Sequence, residues 1–147
     1  MANKFKNYTT DVPVQKTVLE IQGVLMDMKA TRMGFDYDAQ GNIAAVYFSI
    51  RTVGDRILDF KLPADVEAVA RIMYGKTVKF TPAQLDQARK TAWRNVKLWI
   101  ESQMAFIKTE QVKAEQLLMP FLLSADGKTT VYEQFENRGF LLPEKTS

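Results

Sequence analysis

The sequence predicts an α+β fold in which a three-stranded antiparallel meander packs against a long central helix, with shorter N- and C-terminal helices. Three observations carry this. From Thr81 to about Thr109 apolar residues recur at helical spacing, with no Gly and no Pro beyond Pro82. From Arg32 to Leu62 the period changes to two. Turn chemistry interrupts that second stretch twice, at Asp38–Asn42 and at Val53–Asp55.

The first eleven residues are polar, with two lysines, and read as an arm that orders only if Phe5 and Tyr8 find a surface. Thr17-Val18-Leu19-Glu20 has the form of a capping box, and Val18, Ile21, Leu25 and Met28 follow at spacings of three and four. A helix from about 18 to 29 is expected. Met33, Phe35 and Tyr37 then alternate with Gly34 and Asp36 as a first strand, and the turn at Asp38–Asn42 leads into the β-branched and aromatic run IAAVYFSIRT. Val53-Gly54-Asp55 connects this to RILDFKL, in which Leu58, Phe60 and Leu62 share one face and Asp59 and Lys61 the other.

Pro63 ends the third strand. Asp65 and Glu67 suit the positive end of a helix whose stripe is Val66, Val69, Ala70 and Met73, closed by Tyr74-Gly75. KTVKF bridges to the long helix as a short extended piece. There Thr81, Pro82 and Gln84 supply an N-cap, a proline at the first helical position and a capping-box partner. About 27 residues at 1.5 Å each give a helix of roughly 40 Å. Its apolar face holds Leu85, Ala88, Ala92, Val96, Trp99, Ile100, Phe106 and Ile107, with Trp93 and Met104 at one margin. Lys90, Arg94, Lys97 and Lys108 lie beside that margin. Arg89 and Gln103 fall inside the apolar arc and are candidate buried polar groups that need partners.

Val112, Ala114, Leu117 and Leu118 continue as another helix that Pro120 stops or kinks. Ser124–Gly127 is a turn, and Thr130 with Glu133 caps a short helix to about Phe135. Phe140, Leu141 and Leu142 are expected to pin the tail, with 143–147 loose.

A chain of 147 residues fits one domain, able to bury roughly two thirds of its unfolded surface. With no Cys and no His, disulfides, thiolate metal sites, Cys nucleophiles and the commonest general base are all excluded. No catalytic residue, metal or cofactor is assigned. No apolar run approaches the roughly 20 residues of a membrane span. The start lacks the apolar core of a signal peptide, so cytoplasmic residence without membrane association is expected.

The net charge of +3 is unevenly placed. Residues 71 to 97 hold Arg71, Lys76, Lys79, Arg89, Lys90, Arg94 and Lys97 against Asp86, which is +6 and leaves −3 elsewhere. Lys76, Lys79, Lys90, Arg94 and Lys97, with the Trp93 ring for stacking, form a candidate binding surface for which nucleic acid is the leading expected partner and a protein the alternative. The competing reading is an ordinary solvated face and a core tryptophan. Asp59-Phe60-Lys61, with Asp36, Asp38 or Glu20 as partners, has the acidic-x-Lys form of restriction-type nuclease cores, in which two carboxylates would hold Mg²⁺. The double-stranded-RNA-binding arrangement shares the element order but needs cations where Asp65 and Glu67 stand.

KNYTTDVPVQKTVLEI, FKLPADVEAVARIM, AWRNVKLWIESQMAFI and LLMPFLL with the following Asp-Gly turn resemble a family of small proteins encoded by bacteriophages and prophages. The most specific pieces are Asn7 to Thr10 through Pro13, Leu62-Pro63-Ala64, and Ala92-Trp93-Arg94 with Trp99 and Gln103. The resemblance implies a mobile-element origin and a small non-enzymatic interaction protein in the host cell. Such a protein would be an accessory of DNA metabolism or an inhibitor of a host defence or DNA-processing protein. It brings no catalytic residue with it. The long helix, apolar at both margins, could equally build a homo-oligomer interface.

Overall fold

In the computed structural model, residues 6–75, 79–142 and 144 are described. Helix α1 (Val14–Asp27) leads into a sheet of β1 (Ala30–Tyr37), β2 (Ile43–Arg51) and β3 (Ile57–Pro63). Helices α2 (Val66–Tyr74) and α3 (Pro82–Lys108) follow, then a short α4 (Ala114–Leu118), a 3-10 turn at Met119–Phe121, and α5 (Val131–Asn137). The sheet is an antiparallel meander in the order β1-β2-β3, so the chain is α+β as its periodicity predicts.

Strand register follows the alternation. Phe48 faces Met33 on β1 and Phe60 on β3, and Val46 faces Phe35 and Leu62. These apolar residues share the sheet face toward α1 and α3, where they join Val18, Ile21, Leu25, Trp93, Ile100 and Leu118 in the core. Phe48 and Phe60 stack with ring centroids 5.3 Å apart. The two turns close as expected. Asp38 accepts from the backbone N–H groups of Gln40 and Asn42, each at 2.9 Å, and Asp55 adopts φ +63° after Gly54.

Helix α3 begins where its N-terminal signals place it. The Thr81 hydroxyl accepts from the Gln84 N–H, and the Gln84 side chain accepts from the Thr81 N–H. Asp65 caps α2 in the same way by accepting from the Ala68 N–H, and Thr130 caps α5.

Three expectations are corrected. Thr17 is not an N-cap: α1 starts at Val14 behind Pro13. Thr17 is buried one turn in, and Glu20 is engaged by α3 instead of by its own backbone. Pro13 stands at the cap position with φ −59° and a non-helical ψ of 148°, and the helix begins directly behind it, earlier than the Thr-x-x-Glu pattern places it.

The start of the chain is not a free arm where it is described. Gln87 donates to the carbonyls of Tyr8 and Thr10, Thr91 donates to that of Asn7, and the Asn7 side chain donates to Asn95. Residues 7–10 thus lie across α3. The pairing surface was hard to see because three neutral side chains of the helix supply these hydrogen bonds.

The tail is pinned by one residue, not three. Phe140 packs edge-on to Phe135, with centroids 5.6 Å apart, whereas Leu141 and Leu142 are 70% and 78% exposed. The expected extended piece at KTVKF and the loose tail at 143–147 fall largely outside the described residues. No helix among the described residues is long and apolar enough to cross a membrane.

Candidate functional site

The basic margin of α3 meets α1. Glu20 takes both Arg94, with Nη1 at 2.6 Å, and Lys97, with Nζ at 3.2 Å, on its Oε2. Arg94 also donates to the Thr17 hydroxyl at 3.4 Å. Lys97 reaches Glu101 at 3.0 Å, and Lys90 reaches Asp86 at 3.3 Å. The three cations predicted to meet phosphate therefore each hold a carboxylate: Glu20 across the α1–α3 contact for Arg94 and Lys97, and Asp86 and Glu101 one turn away on α3 for Lys90 and Lys97.

The electrostatics follow from the contacts. Burial works to raise the Glu20 pKa, but hydrogen bonds from Lys97 and Arg94, together with their charges, outweigh it and hold the carboxyl below its ordinary value. Lys97 is raised, first by its hydrogen bond to Glu101 and also by Glu20, against a smaller opposing effect of burial.

The structure removes Trp93 from this surface. Its ring is fully buried, and its indole N–H donates to the Ile43 carbonyl at 3.3 Å. It cannot stack on a base or meet a partner. The reason is geometric: α3 turns Trp93 toward the start of β2, and its buried positions include Trp93, Ile100 and Met104 along with Ala88 and Ala92. Trp99 is half-buried and packs edge-on against Phe121, with centroids 5.3 Å apart. Lys79 is exposed, and Lys76 lies outside the described residues.

Arg89 is mostly buried, as its place in the apolar arc predicts. It reaches Asp86 at 3.9 Å and lines a cleft of about 470 Å³ with Lys90, Tyr37, Asn42 and the start of α1. Gln103 is half-buried.

On the sheet face away from the helices, Tyr47 donates to Asp36 at 2.7 Å, and the Lys61 ammonium lies 5.7 Å from the centre of the Tyr47 ring. The hydrogen bond to Asp36, then burial and the Asp36 charge, push the Tyr47 phenol up to about 12. Asp59 accepts from the buried Ser49 hydroxyl at 2.5 Å. Asp59 and Lys61 thus share a face as the acidic-x-Lys pattern requires, but each is engaged by a β2 side chain. Among the described residues no group of three metal-ligating side chains occurs.

A further surface was not read from the sequence. Met119, Tyr132, Leu141 and Leu142 line an apolar groove of about 360 Å³ between the 3-10 turn, α5 and the tail. Tyr132 is 48% exposed and Met119 51%. The three consecutive apolar residues at 140–142, so near the tail, were the available signal.

No protein-family model, no curated protein and no solved structure matches this chain.

Proposed function

We propose that this is a non-enzymatic accessory protein that acts by binding another protein, which it engages through the apolar groove formed by Met119, α5 and Leu141–Leu142. The carrying observation is that contiguous exposed apolar surface, because isolated soluble domains seldom leave such patches uncovered. The surrounding charge favours protein over nucleic acid there. From residue 113 to 144, Lys113, Lys128 and Arg138 stand against Glu115, Asp126, Glu133, Glu136 and Glu144, a net −2 that repels phosphate. The partner's contact segment would be apolar and flanked by basic side chains.

The resemblance to phage-encoded proteins supports a host DNA-processing or defence protein as target, with the host cytoplasm as the place of action. Nucleic acid held along α3 by Lys79, Lys90, Arg94 and Lys97 has less support, since three of those cations already hold carboxylates. The test is affinity capture from a host lysate at high salt, using wild type, Tyr132→Glu/Leu141→Glu, and Lys90→Gln/Arg94→Gln/Lys97→Gln. One protein retained by the wild type and the α3 variant, and lost from the groove variant, is expected. Loss from the α3 variant alone overturns the reading.

A further inference from the structure

The two edges of the sheet are treated differently. β3 is covered: the Leu123 N–H donates to the Asp59 carbonyl at 2.8 Å, and Leu122 bridges to Phe60. β1 has β2 as its one strand neighbour, so its other edge presents unpaired backbone groups among the described residues.

That edge is self-complementary. Register shifts between Ala30 and Arg32 and between Asp36 and Tyr37 delimit a regular run, Arg32-Met33-Gly34-Phe35-Asp36. It reads cation, apolar, glycine, apolar, anion about Gly34. A two-fold axis at Gly34 that pairs this run antiparallel with itself sets Arg32 opposite Asp36 of the second copy and Met33 opposite Phe35. Each pair lies on one face. Arg32 is exposed and has no ion pair among the described residues.

Helix α1 supplies a second, independent observation. It touches β1 and α3, whereas α2 packs on α3. Glu20 and Asp27 reach α3 from one flank of α1, and Val18, Ile21 and Leu25 face the core. On the opposite flank Gln15, Leu19, Gln22 and Met26 recur at spacings of four, three and four, the period of a helix–helix seam. Leu19 and Met26 are each 66% exposed, and neither the core nor the groove accounts for them.

We infer that the β1 edge and the Leu19–Met26 flank of α1 form an isologous interface between two copies of this chain, joining two three-stranded sheets into one of six strands. The charge pattern favours a second copy, because the same run reversed sets each cation opposite an anion without any further sequence requirement.

Sedimentation equilibrium across a concentration series tests this, with a mass of twice 16.8 kDa expected for the wild type. Arg32→Asp and Asp36→Arg each place like charges opposite one another, and each should weaken the dimer about tenfold or more. The combined Arg32→Asp/Asp36→Arg chain restores opposite charges and should restore the dimer. Leu19→Glu/Met26→Glu changes exposed positions alone and should give a folded monomer by circular dichroism. A wild type that stays monomeric at every concentration overturns the interface. So does a dimer unmoved by both single reversals and by the α1 variant, or a monomer that instead pairs with an unrelated extended peptide at β1. Each readout is separate from capture at the Tyr132 groove, so failure here leaves that reading standing, and the converse holds.

Discussion

Arg94 on α3 places Nη1 2.6 Å from Oε2 of Glu20 on α1, and this contact joins two helices through residues 74 positions apart in sequence. The side chains are 19% and 33% exposed, so the pair stands between a surface pair, worth less than about 1 kcal/mol, and a buried one, whose breaking costs about 3–5 kcal/mol. Glu20→Gln should destabilise the fold by about 1–2 kcal/mol at neutral pH, measured by urea unfolding. Because the folded-state pKa of Glu20 is lowered from 4.5, its contribution is present above that value and is lost as the pH falls through the lower folded-state pKa. The urea midpoints of wild type and Glu20→Gln should therefore converge below pH 4.5. A gap that survives in strong acid would assign the effect to packing instead of charge.

The same ion pairs bear on nucleic acid. If Lys90, Arg94 and Lys97 each displaced a counterion from duplex DNA, log K would fall against log salt with a slope of about −2.7. To do so they must release Asp86, Glu20 and Glu101. The expected outcome is no measurable retention of duplex DNA near physiological salt. Binding with that slope, abolished by Lys90→Gln/Arg94→Gln/Lys97→Gln, would return α3 to the candidate interfaces.

The long helix, the meander and both hairpin turns were legible because each is written locally. Thr81-Pro82-Gln84 caps its own backbone, and the alternation through Phe35, Val46, Phe48 and Phe60 needs no knowledge of distant residues. What was not legible depends on contacts between elements. The angular position of Trp93 is the same in sequence and in structure, but whether a margin is core or surface depends on what packs against it, here the start of β2 at Ile43. Glu20 reads equally well as a capping residue or a metal ligand until α3 lies beside it. The Asn7–Thr10 segment looks free because its partners, Gln87, Thr91 and Asn95, are more than 75 residues away and uncharged. Surfaces follow the same rule: Leu19 and Met26 become conspicuous only once the core has formed without them.

Tyr47 offers a spectroscopic check on the outer sheet face. Its phenol is raised from 10.0 to about 12, chiefly by the hydrogen bond to Asp36. The protonated phenol is the form favoured in the fold, so its contribution is whole below pH 10 and is lost as the pH rises toward 12. In an ultraviolet titration, one of the five tyrosines should ionise late. Asp36→Ala should move that step back toward 10, and Tyr47→Phe should delete it. A late step unchanged in Asp36→Ala would show that another tyrosine carries it.

Trp93 and Trp99 should behave as opposites. Trp93→Ala removes a fully buried ring and should cost about 3–5 kcal/mol in urea unfolding. Trp93→Phe keeps most of the volume but leaves the Ile43 carbonyl without its indole donor, for about 1–3 kcal/mol. Trp99→Phe retains a ring against Phe121 at a half-buried position and should cost less than about 1.5 kcal/mol, since little of the lost volume is core. The chain has two tryptophans, so Trp99→Phe also isolates the fluorescence of Trp93. That emission should be blue-shifted and resistant to iodide quenching, because a ring with no exposed surface is closed to the ion. Ready quenching in folded Trp99→Phe would mean that Trp93 reaches solvent and would restore it as a stacking platform beside Arg94.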